Sequence, residues 1–207
     1  MKIFQIGFNR CGTRSIHGFL AANGMRGVHW ENGRVARRMF VNLSEGRPLL
    51  AGLEQFDVFT DMEMLTRDVF LEAYKLFPIL LAQHPDAVFI LNTREREAWI
   101  RSRMGHAGGS YLERFKAYLG GASQAAVADA WRADWERHHK RVLGFFAKRP
   151  ARFFVCPVDQ QLPYLLAAQM PELKLDPRLY ETLGAAGSEP SAAAGEVAPT
   201  DAGITSG

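Results

Sequence analysis

Three short stretches of the chain carry side chains whose types and spacing can do chemistry. The first is Gly7-Phe8-Asn9-Arg10-Cys11-Gly12-Thr13-Arg14-Ser15. Glycine at both ends permits a tight turn, Thr13 and Ser15 add hydroxyl donors, and Arg10 and Arg14 add positive charge. If the turn opens a helix, the unpaired backbone N–H groups of its first turn form a cradle for an anion. The second stretch sets Ser102 eight residues after Arg94, about two helical turns or roughly 12 Å apart. The two meet at one ligand only if the helix folds back beside the strand that precedes it. The third is Asp61 and Glu63 after Phe59-Thr60. Carboxylates two apart on extended chain point the same way, and such a group can take a proton from a hydroxyl.

The elements that must position these residues alternate between strand and helix. Lys2 to Gly7 reads as a short buried strand and Thr13 to Ala22 as a helix closed by Asn23-Gly24. Val28-His29-Trp30 reads as a second strand, Arg34 to Leu43 as a helix, and Asp57 to Thr60 as a third strand. Val69, Phe70, Ala73, Leu76, Phe77 and Leu80 recur at three- and four-residue steps, which predicts one helix over 66–83. The apolar run 87–93 predicts a parallel strand covered on both faces, followed by a helix over 95–104. The glycine-rich 105–121 reads as a long surface loop or lid. Ser123 caps a long helix to about Lys148, and Arg152 to Cys156 makes the last strand. The fold class is therefore α/β: a three-layer parallel sheet whose first strand–helix turn is of P-loop type, with ligands bound beyond the carboxyl ends of the strands. From Gly184 onward, 19 of 24 residues are Ala, Gly, Ser, Pro or Thr. That composition predicts a disordered tail after a single domain over 1–183.

Composition narrows the function. A net charge of +3 over 207 residues suits an anionic ligand and is too mild for a nucleic-acid partner. Two cysteines make no disulfide framework, and the histidines lack metal-ligand spacing. No apolar stretch approaches the ~20 residues of a membrane span, so the expectation is a cytoplasmic protein without a metal.

The first loop resembles the 5′-phosphosulfate loop of the sulfotransferase family, roughly Pro-Lys/Arg-x-Gly-Thr-x-Ser/Trp after the first strand. Arg10 stands at the basic position, Gly12-Thr13 at the Gly-Thr pair and Ser15 at the following position, while Asn9 replaces the usual proline. Arg94 and Ser102 resemble the family's arginine and serine for the 3′-phosphate of 3′-phosphoadenosine 5′-phosphosulfate (PAPS). The resemblance spans roughly residues 2–160 and implies transfer of a sulfuryl group from PAPS to a small-molecule or glycan acceptor, leaving 3′-phosphoadenosine 5′-phosphate (PAP). It implies a cofactor-binding set of Arg10, Cys11, Gly12, Thr13, Arg14, Ser15, Arg94 and Ser102. For the reaction itself it implies Arg10, with Glu63 as the favoured base and Asp61 as the alternative. The family's Arg-Lys-Gly element has no match; Arg149 and Arg152 could contribute in its place, though nothing in the sequence assigns them.

Other readings stay open at this level. The first loop is also spaced like a Walker A loop, and a kinase would use Asp61 to hold magnesium. However, Gly12 is followed by Thr13 and Arg14 rather than by lysine and a hydroxyl residue. A non-catalytic PAP-binding module is the third reading. Cys11 is either a low-pKa thiol beside cations or a small filler. His29 and Trp30 either line an acceptor pocket or merely end a strand; His17 reads as structural, and His138 and His139 as solvated.

Overall fold

The computed structural model describes residues 1–183; the tail expected over 184–207 lies outside them. Five short strands, β1 (Ile3–Gln5), β2 (Gly27–His29), β3 (Val58–Thr60), β6 (Val88–Thr93) and β7 (Arg152–Pro157), form one sheet in the order β2-β3-β1-β6-β7. Every pairing is parallel, with Ile3 opposite both Val58 and Val88. A parallel sheet must be covered on both faces, and the alternation of side chains supplies two cores. Phe4, Phe59 and Phe89 lie in one; Ile3, Val58, Val88 and Ile90 lie in the other. Helices α1 (Thr13–Ala22) and α7 (Leu162–Gln169) cover the second face. The first is covered by α2 (Arg34–Ser44), α3 (Phe77–Gln83), α4 (Arg96–Met104) and α6 (Gln124–Phe146). This is the expected three-layer α/β architecture. Among the described residues no helix is long and apolar enough to cross a membrane.

Two expected elements differ. Residues 66–83 are not one helix: β4 (Glu63–Leu65) pairs antiparallel with β5 (Phe70–Glu72), and only Phe77–Gln83 is α-helical. The reason is local. Thr66 Oγ1 accepts from the N–H groups of Asp68 and Val69, at 3.3 and 3.0 Å, and makes the turn of a hairpin. Pro78, which a helix interior excludes, sits in the first turn of α3 instead. The helical spacing of apolar residues arose because the half-buried hairpin and α3 both face the same core.

The second difference lies in 105–121. It holds a helix, α5 (Ser110–Tyr118), whose Tyr111, Leu112 and Phe115 are buried. The flanking glycines concealed it: Gly108, Gly109, Gly120 and Gly121 all have positive φ and bound the helix rather than making a loop. His138 and His139, expected at the surface, are buried on α6. His138 Nε2 donates to the Ile6 carbonyl at 2.7 Å, and burial pushes its pKa down to about 4, so the ring is neutral.

Gly7 is the tightest point of the sheet. A Cβ there would lie 2.1 Å from the Asn92 carbonyl oxygen, a backbone atom that cannot swing aside. Gly7→Ala should therefore destabilise the fold by about 3 kcal/mol or prevent it, read as loss of the folded fraction in urea titrations; an unchanged midpoint would contradict this packing.

Candidate functional site

The Asn92 side chain, fully buried at the end of β6, fixes the loop after β1. Its Oδ1 accepts from the Gly7 N–H at 2.9 Å and from Gln5 Nε2, and its Nδ2 donates to the carbonyls of Phe8 at 3.2 Å and Cys11 at 2.7 Å. Gln5 extends the tie to the next strand, since its Oε1 accepts from the Asp61 N–H at 2.9 Å. Trp99 on α4 donates from Nε1 to the Asn9 carbonyl at 3.0 Å. With its backbone so bound, the loop holds Arg10 at φ 60° and Gly12 at φ 72°. Asp61 on the neighbouring strand end also has positive φ, 53°. Backbone strain of this kind persists only where the surroundings over-determine it.

These residues line one cleft of about 510 Å³ beyond the carboxyl ends of β1, β3 and β6. Asn9, Arg10, Gly12, Thr13, Arg14 and Ser15 form its floor at the start of α1, and Asp61 enters from β3. Arg94, Arg101, Ser102 and His106 close one side; Val158, Thr182 and Leu183 close the other. Arg94 Nη1 donates to the Arg10 carbonyl at 3.3 Å, and Arg10 Nε donates to Ser102 Oγ at 3.2 Å. Arg94 at the end of β6 and Ser102 on α4 thus both meet the first loop, through Arg10. Burial, then the neighbouring Arg94 and Arg14, push the Arg10 pKa down. Such crowding of cations raises the affinity of the cleft for an anion.

The two carboxylates part company. Extended geometry does not hold at Asp61, whose positive φ turns its side chain into the cleft, whereas Glu63 lies beneath it, 4% exposed. Glu63 Oε1 accepts from Asn9 Nδ2 at 2.7 Å and from the Tyr111 hydroxyl at 2.9 Å. Arg103, buried among Trp99, Trp131 and Tyr111, donates to the Tyr111 hydroxyl at 2.6 Å and lies 3.6 Å from Glu63 Oε2. Burial works against the Arg103 charge, but Tyr111 and Glu63 outweigh it and raise its pKa. Burial, then the Glu63 charge, raise the Asp61 pKa well above that of an ordinary aspartate; Arg103 and Arg10 oppose this. His29 Nε2 lies 3.6 Å from Asp61 Oδ2, and its Nδ1 meets Thr60 Oγ1 at 2.9 Å. Burial, then His17 and Arg14, push the His29 pKa down to about 3, so it faces Asp61 as a neutral ring.

The sequence reading placed most of the floor but not all of the walls. Cys11 is fully buried with its pKa pushed up to about 12 by burial, which makes it a filler and not a reactive thiol. The Ser15 hydroxyl is already engaged, accepting from the Leu183 N–H at 2.8 Å. Arg149 packs on Phe145 and Arg152 pairs with Glu172, and neither lines the cleft. Trp30 is 43% exposed at φ 54° and does not line it either. Arg101, His106, Val158, Thr182 and Leu183 were missed. Only Arg101 carried a readable signal, one residue before Ser102 on a helix entering the site. Burial, then Arg10 and Arg103, push the His106 pKa down to about 4. Among the described residues no three of His, Cys, Asp or Glu are gathered as metal ligands would be.

A family model described as "Sulfotransferase domain" matches residues 2–153, more than half of the chain. No curated protein matches the sequence.

The buried Arg103–Glu63 pair sets a clear expectation for stability. Arg103→Met leaves the Glu63 charge uncompensated and should cost about 3–5 kcal/mol, whereas the double variant Arg103→Met, Glu63→Gln should recover part of that loss. Chemical denaturation of the three proteins measures it; a single variant as stable as the parent would dismiss the pair.

Proposed function

This chain belongs to the sulfotransferase family, and from that premise we propose that it moves the sulfuryl group of PAPS to a hydroxyl or amine of a small-molecule or glycan acceptor. The convergence of Arg10, Arg94 and Ser102 on one cleft at the start of α1 carries the reading. A helix N-terminus with a left-handed glycine before it suits the 5′-phosphate. Arg94 and Ser102, reaching the same cleft from β6 and α4, suit the second phosphate of a 3′,5′-bisphosphate. A plain AMP or ATP has no group there. The lysine expected of a kinase is missing from the loop.

In the transfer, the acceptor oxygen forms a bond to sulfur as the bond from sulfur to the 5′-phosphate oxygen breaks. The electron pair of that bond leaves with the phosphate, where Arg10 and the N–H groups of Gly12, Thr13 and Arg14 offset the charge. The acceptor proton goes to a base, and geometry favours Asp61 over Glu63. Asp61 lines the cleft; Glu63 is spent on Asn9, Tyr111 and Arg103 below it. Glu63 then holds Asn9 and α5 in place and, through its charge, keeps Asp61 basic enough to accept a proton. This reverses the order of preference drawn from sequence.

Two outcomes test the reading. Asp61→Asn should lower kcat by about 10²–10⁴ while PAP binds as in the parent. Because the Asp61 pKa is raised, activity of the parent should fall on acidification along a limb centred above the usual aspartate range, and Asp61→Asn should lose that limb. Full turnover in Asp61→Asn would return the base to another group. Separately, PAP should bind more tightly than AMP, and Arg94→Ala should remove most of the difference, since a hydrogen bond to a charged group is worth about 1.5–3 kcal/mol. Calorimetric titration with both nucleotides decides; equal affinities in the parent would refute the bisphosphate site.

A further inference from the structure

Of the four tryptophans only Trp30 is exposed, and it stands on a strained turn. Trp99 and Trp131 are buried and Trp135 is half-buried. Trp30 is held at φ 54° and ψ −57°, and Glu31, Asn32 and Gly33 after it also have positive φ. A bulky side chain at such angles is a backbone outlier. The turn is fixed at both ends. The Trp30 N–H donates to the Thr60 carbonyl at 3.2 Å, and the Gly33 N–H donates to the Trp30 carbonyl at 2.9 Å. Met64 packs so closely that a Cβ on Gly33 would lie 2.5 Å from its Cγ. Because His29 is the register partner of Thr60, Trp30 leaves β2 beside Asp61, at the edge of the sheet that holds the cleft.

Helix α2 starts from this turn. Val35, Ala36 and Met39 turn its apolar side to the core, while Arg34, Arg37, Arg38 and Val41 are exposed. Steps of three, four and seven residues set those four on one face. Elsewhere on the surface Arg26, Arg132, Arg137, Arg152 and Arg178 each pair with a carboxylate. Among the described residues Arg34, Arg37 and Arg38 make no ion pair and no hydrogen bond through their side chains. Glu31 and Glu45 bracket the face, and Glu45 is taken by Arg47. The outer face of α2 is therefore a row of uncompensated positive charge that begins at an outward-held indole.

These two features share one complement. An indole is amphipathic and settles at the boundary between water and hydrocarbon. Guanidinium groups pair with phosphate and carboxylate oxygens. The outer side of a helix is a ridge, which meets a plane and cannot enclose a small molecule. We propose that Trp30 and the Arg34–Val41 face of α2 dock the chain on an anionic lipid surface. The attachment is peripheral. The arginines supply the attraction, which fades within a Debye length of the surface, and Trp30 enters the headgroup layer. Backbone strain is kept where function requires it, and at Trp30 it keeps the indole exposed. Trp30 and the three arginines do not line the cleft, so the docking proposal stands apart from the transfer reaction proposed above.

Co-sedimentation of the full chain with vesicles of phosphatidylcholine, alone or mixed with phosphatidylserine, tests this. The parent should bind the mixed vesicles, release them as salt is raised, and leave the neutral vesicles alone. Arg37→Gln combined with Arg38→Gln should lower the partition coefficient about thirtyfold, since each arginine near such a surface is worth about fivefold. Both side chains are exposed, so this double variant should melt with the parent. Trp30→Gly relieves the backbone; it should be at least as stable as the parent in urea and yet bind the mixed vesicles more weakly. Should that variant fail to fold, the arginine pair alone decides. A parent that ignores the mixed vesicles, or binds neutral ones equally well, would overturn the proposal, as would an arginine pair whose loss changes nothing. Retention on immobilised polyaspartate without vesicle binding would also overturn it, and would assign the face to an acidic polymer.

Discussion

The site depends on one buried amide. Asn92 satisfies the Gly7 N–H and two loop carbonyls at once, and through Gln5 it reaches the Asp61 backbone. A loop with Arg10 and Gly12 in left-handed conformation has no ladder of its own to hold it, and its inward polar groups would be costly to bury unpaired. A side chain with two donors and two acceptor lone pairs meets that need where a purely apolar strand end would not. The anion cradle is thus a property of two neighbouring strands, and the loop sequence by itself does not make it.

Beneath the cradle a second constraint governs the acidic side. Glu63, Tyr111 and Arg103 bring together β4, α5 and α4, and the aromatic rings around Arg103 exclude water from the group. A buried ion pair of this kind offers little net stability against an apolar replacement. Its value here is positional: it holds Asn9 and leaves Asp61 as the carboxylate that faces the cleft. Asp61 also borders the neutral His29 ring, and it feels the Glu63 charge against the opposing cations of Arg103 and Arg10.

How much of this was legible in the sequence follows from the range of the interactions. The strand-to-helix turn, the capped helices and the buried run at 88–93 announce themselves within a few residues, as glycine, Ser123 and unbroken apolar character. The placement of Arg94 and Ser102 at one cleft was legible because a strand end and the helix that follows it keep them within a short stretch of chain. The division of labour between Asp61 and Glu63 was not, since it turns on a positive φ at Asp61 and on Arg103, forty residues further along the chain. The hairpin at 63–72 was masked because apolar residues facing one core from a hairpin and a helix mimicked a single helical period. The walls at Val158 and Leu183 carry no motif, and only packing along α1 brings the latter to the cleft.

The reach of the Asn92 contacts also sets when the cradle comes into being. The loop is made well before β6, and its hydrogen bonds to Asn92 span 81 to 85 residues. Closing so long a stretch is entropically costly, and contacts of this separation form late in folding. On the ribosome the arginine loop therefore emerges before β6 and stays unformed until that strand has followed it into the sheet. A nascent chain shorter than that has the residues of the anion site without the site, so ligand cannot stabilise a partial fold and acts only on a chain whose central strands are already in register.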